Sequence, residues 1–175
     1  MDWYDTVFEL IDMRSFSNLW FWIVLAVMWS SMSHWVLGVP WDMVLRARKR
    51  ADPGMLSDLE TMVRISTGRI LMIAGESGLL LAAFGSFVLT SLLLLGFVYG
   101  NEFSQALFLL GFPMSLVGLS SIATARRIRR EALAGDALYR AMRRHRVLTQ
   151  AIGMVSIFVT AMWGMLQNMT IGVLG

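Results

Sequence analysis

Few residues in this chain have types and spacings that could do chemistry. Glu76 is the one carboxylate in the apolar, glycine-rich run LMIAGESGLL, residues 71–80. His34 and His145 are the only histidines, and there is no cysteine. Arg69 precedes Glu76 by about two helical turns, on nearly the same face, from where a long side chain can snorkel toward the acid. Gln150 is the remaining polar group at similar depth in an apolar run. An acid in such a place is a candidate for a proton or ion step, for holding a partner or ligand, or for a structural polar clasp. The clasp of Glu76 with His34 or Arg69 is the reading preferred here, with Gln150 nearby.

Other chemistry is thinly represented. Without cysteine the chain offers no thiolate for an iron–sulfur cluster or zinc, no disulfide and no CxxC motif. Bis-histidine haem needs two ligands at matching depth. His145 lies in RRHR, about 10 Å lower than His34 by helix rise, so haem is not expected. The 14 methionines suit adaptable packing. No Walker loop, GxSxG elbow or HExxH pair is present, so no catalytic residue, metal or cofactor is assigned.

The elements that position these groups follow from composition. Hydrophobic residues make up 57% of the chain, charged ones only 15%, and the mean hydropathy is +0.62. The apolar residues fall in blocks of the roughly 20 residues that cross a bilayer as a helix. Four spans are expected, at about 16–38, 70–99, 103–125 and 147–166. The runs are continuous and do not alternate, which argues against a barrel. The expected fold is an all-α, integral membrane four-helix bundle in a single domain, residues 1–175.

Orientation comes from the arginines. Of the 15 basic residues only Lys49 is lysine, which suggests GC-rich coding and a bacterial source. Every basic residue except Arg14 lies in two loops, about 39–69 and 126–146. The positive-inside rule puts both loops in the cytoplasm and both termini on the periplasmic side of an inner membrane. Asp2, Asp5, Glu9, Asp12 and Glu102 fall on the other side. Trp20, Trp22, Trp35, Trp41, Tyr99 and Phe103 mark the span ends, as interfacial aromatics do. On this frame Glu76 and His34 sit in the inner leaflet, the acid about 9 Å from the span's start. The opening MDWYDTVFELID is acidic where a secretory signal is basic, so the first span is expected to stay in the mature chain.

Between the spans, Trp3, Tyr4, Val7, Phe8 and Ile11 suggest a short amphipathic helix over residues 1–14, lying on the outer surface with an acidic opposite face. Pro40 is expected to end span one and open a short basic helix, WDMVLRARKR. Asp52-Pro53-Gly54 marks a turn, and Ser57 with Glu60 fits a capping box, predicting one helix from Asp58 to Tyr99. Gly135-Asp136 separates span three's extension from the helix into span four, with Asp136 as a cap. Arg46, Arg48, Lys49, Arg50, Arg126, Arg127, Arg129 and Arg130 read as contacts to anionic lipid headgroups. Nucleic acid is not expected, since no recognised module accompanies the charge.

Small residues form three stripes: Gly75, Gly78 and Ala82 with Ser86 or Gly85; Gly111, Ser115 and Gly118; and Gly153, Ser156, Thr160 and Gly164. Such stripes let helices approach closely in lipid, within one bundle or between subunits. Membrane lipids and other membrane subunits, or further copies of the chain, are the expected partners.

The stretches MDWYDTVFELIDMRSFSNLWFW, SHWVLGVPWDM, FPMSLVG and IGMVSIFVTAMWGM resemble a family of small four-span inner-membrane proteins of alphaproteobacteria. The likeness covers nearly the whole chain. Its members often carry the label "component of SufBCD complex", which implies a link to iron–sulfur assembly; no cysteine or nucleotide loop here supplies a direct role. The sequence as a whole leads to a non-enzymatic accessory or scaffold subunit of a membrane complex. The alternatives are a small ion-coupled transporter using Glu76 and a membrane cofactor binder using His34.

Overall fold

Long apolar runs without alternation should fold as helices, and the described residues, 15–17, 19–50 and 52–172 of a computed structural model, form an all-α bundle. A 3-10 turn, Ser15–Ser17, leads to α1, Leu19–His34. A hairpin follows, β1 Trp35–Val36 with β2 Val39–Pro40, and then α2, Trp41–Arg50. The chain continues through α3, Pro53–Glu76, α4, Gly78–Leu93, and a π-helical turn, Leu94–Val98. It ends in α5, Glu102–Arg130, and α6, Gly135–Gly172. The amphipathic helix expected at 1–14 lies outside the described residues.

Among the described residues, three helical stretches are long and apolar enough to cross a membrane: Gly78–Val98, Glu102–Arg130 and Gly135–Met169. The first expected span, 16–38, is shorter as a helix than its sequence suggests. The 16 residues of α1 rise about 24 Å, less than the ~30 Å hydrocarbon layer. The hairpin is what stops it. Trp35 pairs with Pro40 and Val36 with Val39, across a two-residue turn at Leu37 (φ 54°) and Gly38 (φ 78°). Positive φ at both positions suits the twist of a tight hairpin, and a glycine supplies one of them without strain. A leucine in that conformation costs about 1 kcal/mol, which its burial against Val36 and Val39 offsets.

The single helix expected from Asp58 to Tyr99 is two helices and a π turn. Asp52, not Ser57, caps α3, accepting from the Gly54 N–H at 3.3 Å with Pro53 in the first turn. Glu60 is thereby freed from a capping box and accepts instead from the Gly135 N–H at 3.0 Å. The helix breaks at Ser77 (φ −117°, ψ 4°), beside the pair of glycines at 75 and 78. Glycines flanking a serine are an ordinary cause of a helix kink. Gly135 opens α6, so Asp136 falls in its first turn.

Two apolar cores hold the ends. At the arginine-rich end, Val39, Trp41, Val44, Val63, Ile128 and Met142 join the hairpin to α2, α3, α5 and α6. At the other end, Phe16, Phe21, Leu25, Trp29, Ala106 and Leu110 join the 3-10 turn, α1 and α5. α5 and α6 pack together as the centre. α1 rests on α6, and α4 rests on α5 and buries none of its residues. A cleft opens between α1 and α4.

Candidate functional site

The four residues expected to form a polar clasp do not meet. Glu76, Arg69 and His34 are all exposed. No hydrogen bond or ion pair joins any of them, or Gln150, to another described residue. His34 packs its ring edge-on against Trp35 at 5.9 Å. The reason is the kink: it leaves Glu76 on the outside of the α3–α4 junction. The hairpin likewise turns His34 away from the interior.

The small residues divide into two classes. Gly153 faces Trp29 so closely that an added Cβ would lie 2.7 Å from the ring. Gly164 meets Trp22 and Phe16 in the same way, at 3.3 and 3.4 Å. With buried Ser156 and Thr160, these residues make a true seam on α6, and the small side is matched by aromatic rings. The span-two stripe is different. An added Cβ at Gly75, Gly78, Gly85 or Gly118 would meet nothing within 4 Å, and Ala82 is exposed. Gly111 makes only ordinary contact with Leu89, at 3.5 Å, and Ser115 donates its hydroxyl back to the Phe112 carbonyl at 2.6 Å. Of these positions, Gly78, Ala82, Gly85, Ser115 and Gly118 border one open space.

That space is a cleft of about 810 Å³. Ser31, Met32 and Trp35 form one wall, and Gly78, Leu81, Ala82, Gly85 and Leu89 the other. Val117, Gly118, Ile122, His145 and Thr149 make its floor. His145 is only 5% exposed. Its ring lies between two hydroxyls, Ser120 at 3.4 Å from Nδ1 and Ser121 at 3.2 Å from Nε2. Both serines also reach the Val117 carbonyl, at 2.9 and 2.8 Å, and Thr149 donates to the His145 carbonyl at 3.1 Å. No reading of the sequence singled out this corner, because RRHR looks like part of a solvated basic face. The signal was the spacing of Leu138, Met142, His145 and Thr149 along one side of α6, now seen to be buried.

A second polar joint was also missed. Gln105, 3% exposed, donates to the Gly96 carbonyl at 2.8 Å. It accepts from the Trp163 indole N–H and the Gln167 amide, both at 2.9 Å. The π turn brings Gly96 this close: an added Cβ there would lie 2.9 Å from the Gln105 nitrogen. The clasp assigned to Glu76 is therefore made at the opposite end of the bundle, by an amide. A glutamine inside FSQALFLL is the kind of polar residue that needs a partner in apolar surroundings.

The residues expected to meet headgroups are exposed. Arg46 pairs with Asp42 at 2.7 Å, Arg48 lies 4.0 Å over the Tyr139 ring, and Lys49 and Arg50 point outward. Arg126, Arg127, Arg129 and Arg130 surround a shallow concavity with Leu71 and Ala123, and Arg127 pairs with Glu131 at 3.1 Å. Among the described residues no group of three or more acidic or histidine side chains is placed to hold a metal. Comparison of the chain with protein-family models, with curated proteins and with solved structures gives no match.

Proposed function

We propose that the chain is an integral protein of the bacterial inner membrane, serving as a non-enzymatic accessory or scaffold subunit of a larger membrane assembly. The arginine-rich end lies in the cytoplasm and both termini on the periplasmic side, in keeping with the charge asymmetry of its loops. One observation carries the subunit reading. α4 is an apolar helix, broken only by the hydroxyls of Ser86, Thr90 and Ser91, and it buries none of its residues. Its far end is tied through the π turn, where the Gln105 amide donates to the Gly96 carbonyl. Its outward side presents Leu79, Leu80, Phe84 and Phe87, all more than two-thirds exposed. An apolar arm of this kind offers a partner helix an interface.

Phe84→Ala and Leu80→Ala on that side should detach a partner without loosening the fold, because neither residue is buried. The test is purification in mild detergent from native membranes, with mass spectrometry of whatever accompanies wild type and variants. Partners that leave with the variants support the reading, and a solitary monomer in both refutes it. The iron–sulfur link implied by the family resemblance is decided by the same identification. Glu76 lines neither the cleft nor any ion-pair network among the described residues, so no geometry favours the ion-coupled alternative.

A further inference from the structure

The cleft between α1 and α4 has the volume of a small-molecule site and the chemistry of a particular class of ligand. Its 810 Å³ falls inside the roughly 300–1,000 Å³ of such sites. A crossing helix, about 10 Å wide and 30 Å long, needs more than about 2,000 Å³, so the cleft is too small to seat one. No Asp, Glu, Lys or Arg lines it. Its walls are mostly apolar side chains and bare backbone, from Met32 to Leu89. Three of its polar residues, Ser121, His145 and Thr149, are joined in one corner, and the hydroxyls of Ser31, Ser86 and Ser115 are spread along the rest of the lining.

The polar corner is uncharged and versatile. A neutral imidazole has one donor and one acceptor nitrogen, and a serine hydroxyl can play either part. Ser120 and Ser121 now turn their hydrogens toward the Val117 carbonyl. A guest oxygen can therefore draw a hydrogen bond from Ser121 or from the ring without stranding a charge. No charged side chain lines the cleft to pair with a phosphate or ammonium head, and burying an unpaired ion is far costlier than burying a carbonyl.

We propose that this cleft binds an uncharged lipophile that enters sideways between α1 and α4. Its carbonyl or hydroxyl head sits at His145 and Ser121, and its hydrocarbon tail runs along Gly78, Ala82 and Gly85. A quinone-type or prenol-type molecule has this form, and a phospholipid does not. The site uses the inner side of α4, whereas the subunit reading uses its outward side, so each can fail alone.

The test uses the full chain in nanodiscs of phosphatidylcholine, titrated with a decyl-substituted benzoquinone. Quenching of tryptophan fluorescence is the readout, since Trp35 lines the cleft. Gly85→Leu is the blocking variant: its Cβ meets nothing within 4 Å, so the side chain grows into the cleft without a clash. Saturable quenching that disappears in Trp35→Phe, and needs about tenfold more quinone in Gly85→Leu with an unchanged melting temperature, supports the site. Ser121→Ala should weaken binding in the same direction. Quenching that never saturates, or is equal in Gly85→Leu, overturns the proposal. Displacement of the quinone by phosphatidylglycerol overturns its neutral-head selectivity.

Discussion

Replacing Gln105 with leucine should unlock the end of the bundle where α4, α5 and α6 converge. The side chain is 3% exposed and makes three hydrogen bonds, one to Gly96 and one each from Trp163 and Gln167. Interhelical hydrogen bonds in membrane bundles average about 0.6 kcal/mol, so three contribute about 2 kcal/mol. Leucine keeps the volume, which avoids a cavity, but it takes the acceptor from the Trp163 N–H; an orphaned donor adds about 1–3 kcal/mol. The loss should reach about 3–5 kcal/mol, roughly a hundredfold or more in the folded-to-unfolded ratio. Reversible unfolding of the purified chain in micelles, followed by circular dichroism, measures it. Gly96→Ala should act in the same direction, because its Cβ would press on the Gln105 nitrogen at 2.9 Å. A loss below about 0.5 kcal/mol for Gln105→Leu, the scale of an ordinary surface change, would refute the joint.

Three further outcomes are expected. Gly153→Ala should destabilise by about 1–3 kcal/mol, since the methyl must displace the Trp29 ring at 2.7 Å, while Gly78→Ala should be neutral or gain up to about 1 kcal/mol of helix propensity; paired melting curves separate them. Glu76→Gln should leave stability within about 0.5 kcal/mol of wild type, because the acid is exposed and has no ion pair. A chain without cysteine can be labelled at one chosen site: Tyr99→Cys should react with an impermeant maleimide in intact cells and Asp136→Cys only after permeabilisation. The reverse pattern would invert the proposed topology.

How much of this was legible depends on the range of each interaction. Apolar run length is a local property, so the helical bundle and the stretches around α4, α5 and α6 could be read directly. The hairpin at Trp35–Pro40 could not, because its turn residues are Leu37-Gly38, and nothing in a leucine announces positive φ. The kink at Ser77 was written in AGESG, whose glycines were read as packing positions and not as weak points of a helix. The stripes illustrate the limit best. Gly153 and Gly78 look alike in sequence, yet one supports an indole and the other borders a void. What distinguishes them is the partner across the gap, which lies more than a hundred residues away for Gly153 and is absent for Gly78. Gln105 and His145 were overlooked for opposite reasons, the first as a minor break in an apolar run and the second as part of a charged one.

The placement of the cleft follows from where the chain spends its specific interactions. The arginine-rich end is fixed by a compact core, by the Arg146 guanidinium 4.7 Å over the Trp41 ring, and by the Arg146 bond to the Ser33 carbonyl at 3.3 Å. The other end is fixed by Gln105, by the Glu102 bond to the Phe16 N–H at 2.6 Å, and by the Phe16–Trp22 aromatic cluster. Between them the α1–α6 seam is filled by tryptophan against glycine, while α4 faces α1 with glycine and alanine and no ring to meet them. Both sides use small residues, but only one supplies the large residue that completes the contact. Uniform close packing would need an aromatic on α1 opposite Gly78 and Gly85, as Trp29 stands opposite Gly153. The aromatic that lines the gap, Trp35, lies at the hairpin instead. A bundle pinned at both ends can keep such a gap open without collapse, and a lining that is mostly apolar and holds no Asp, Glu, Lys or Arg suits a guest better than it suits water.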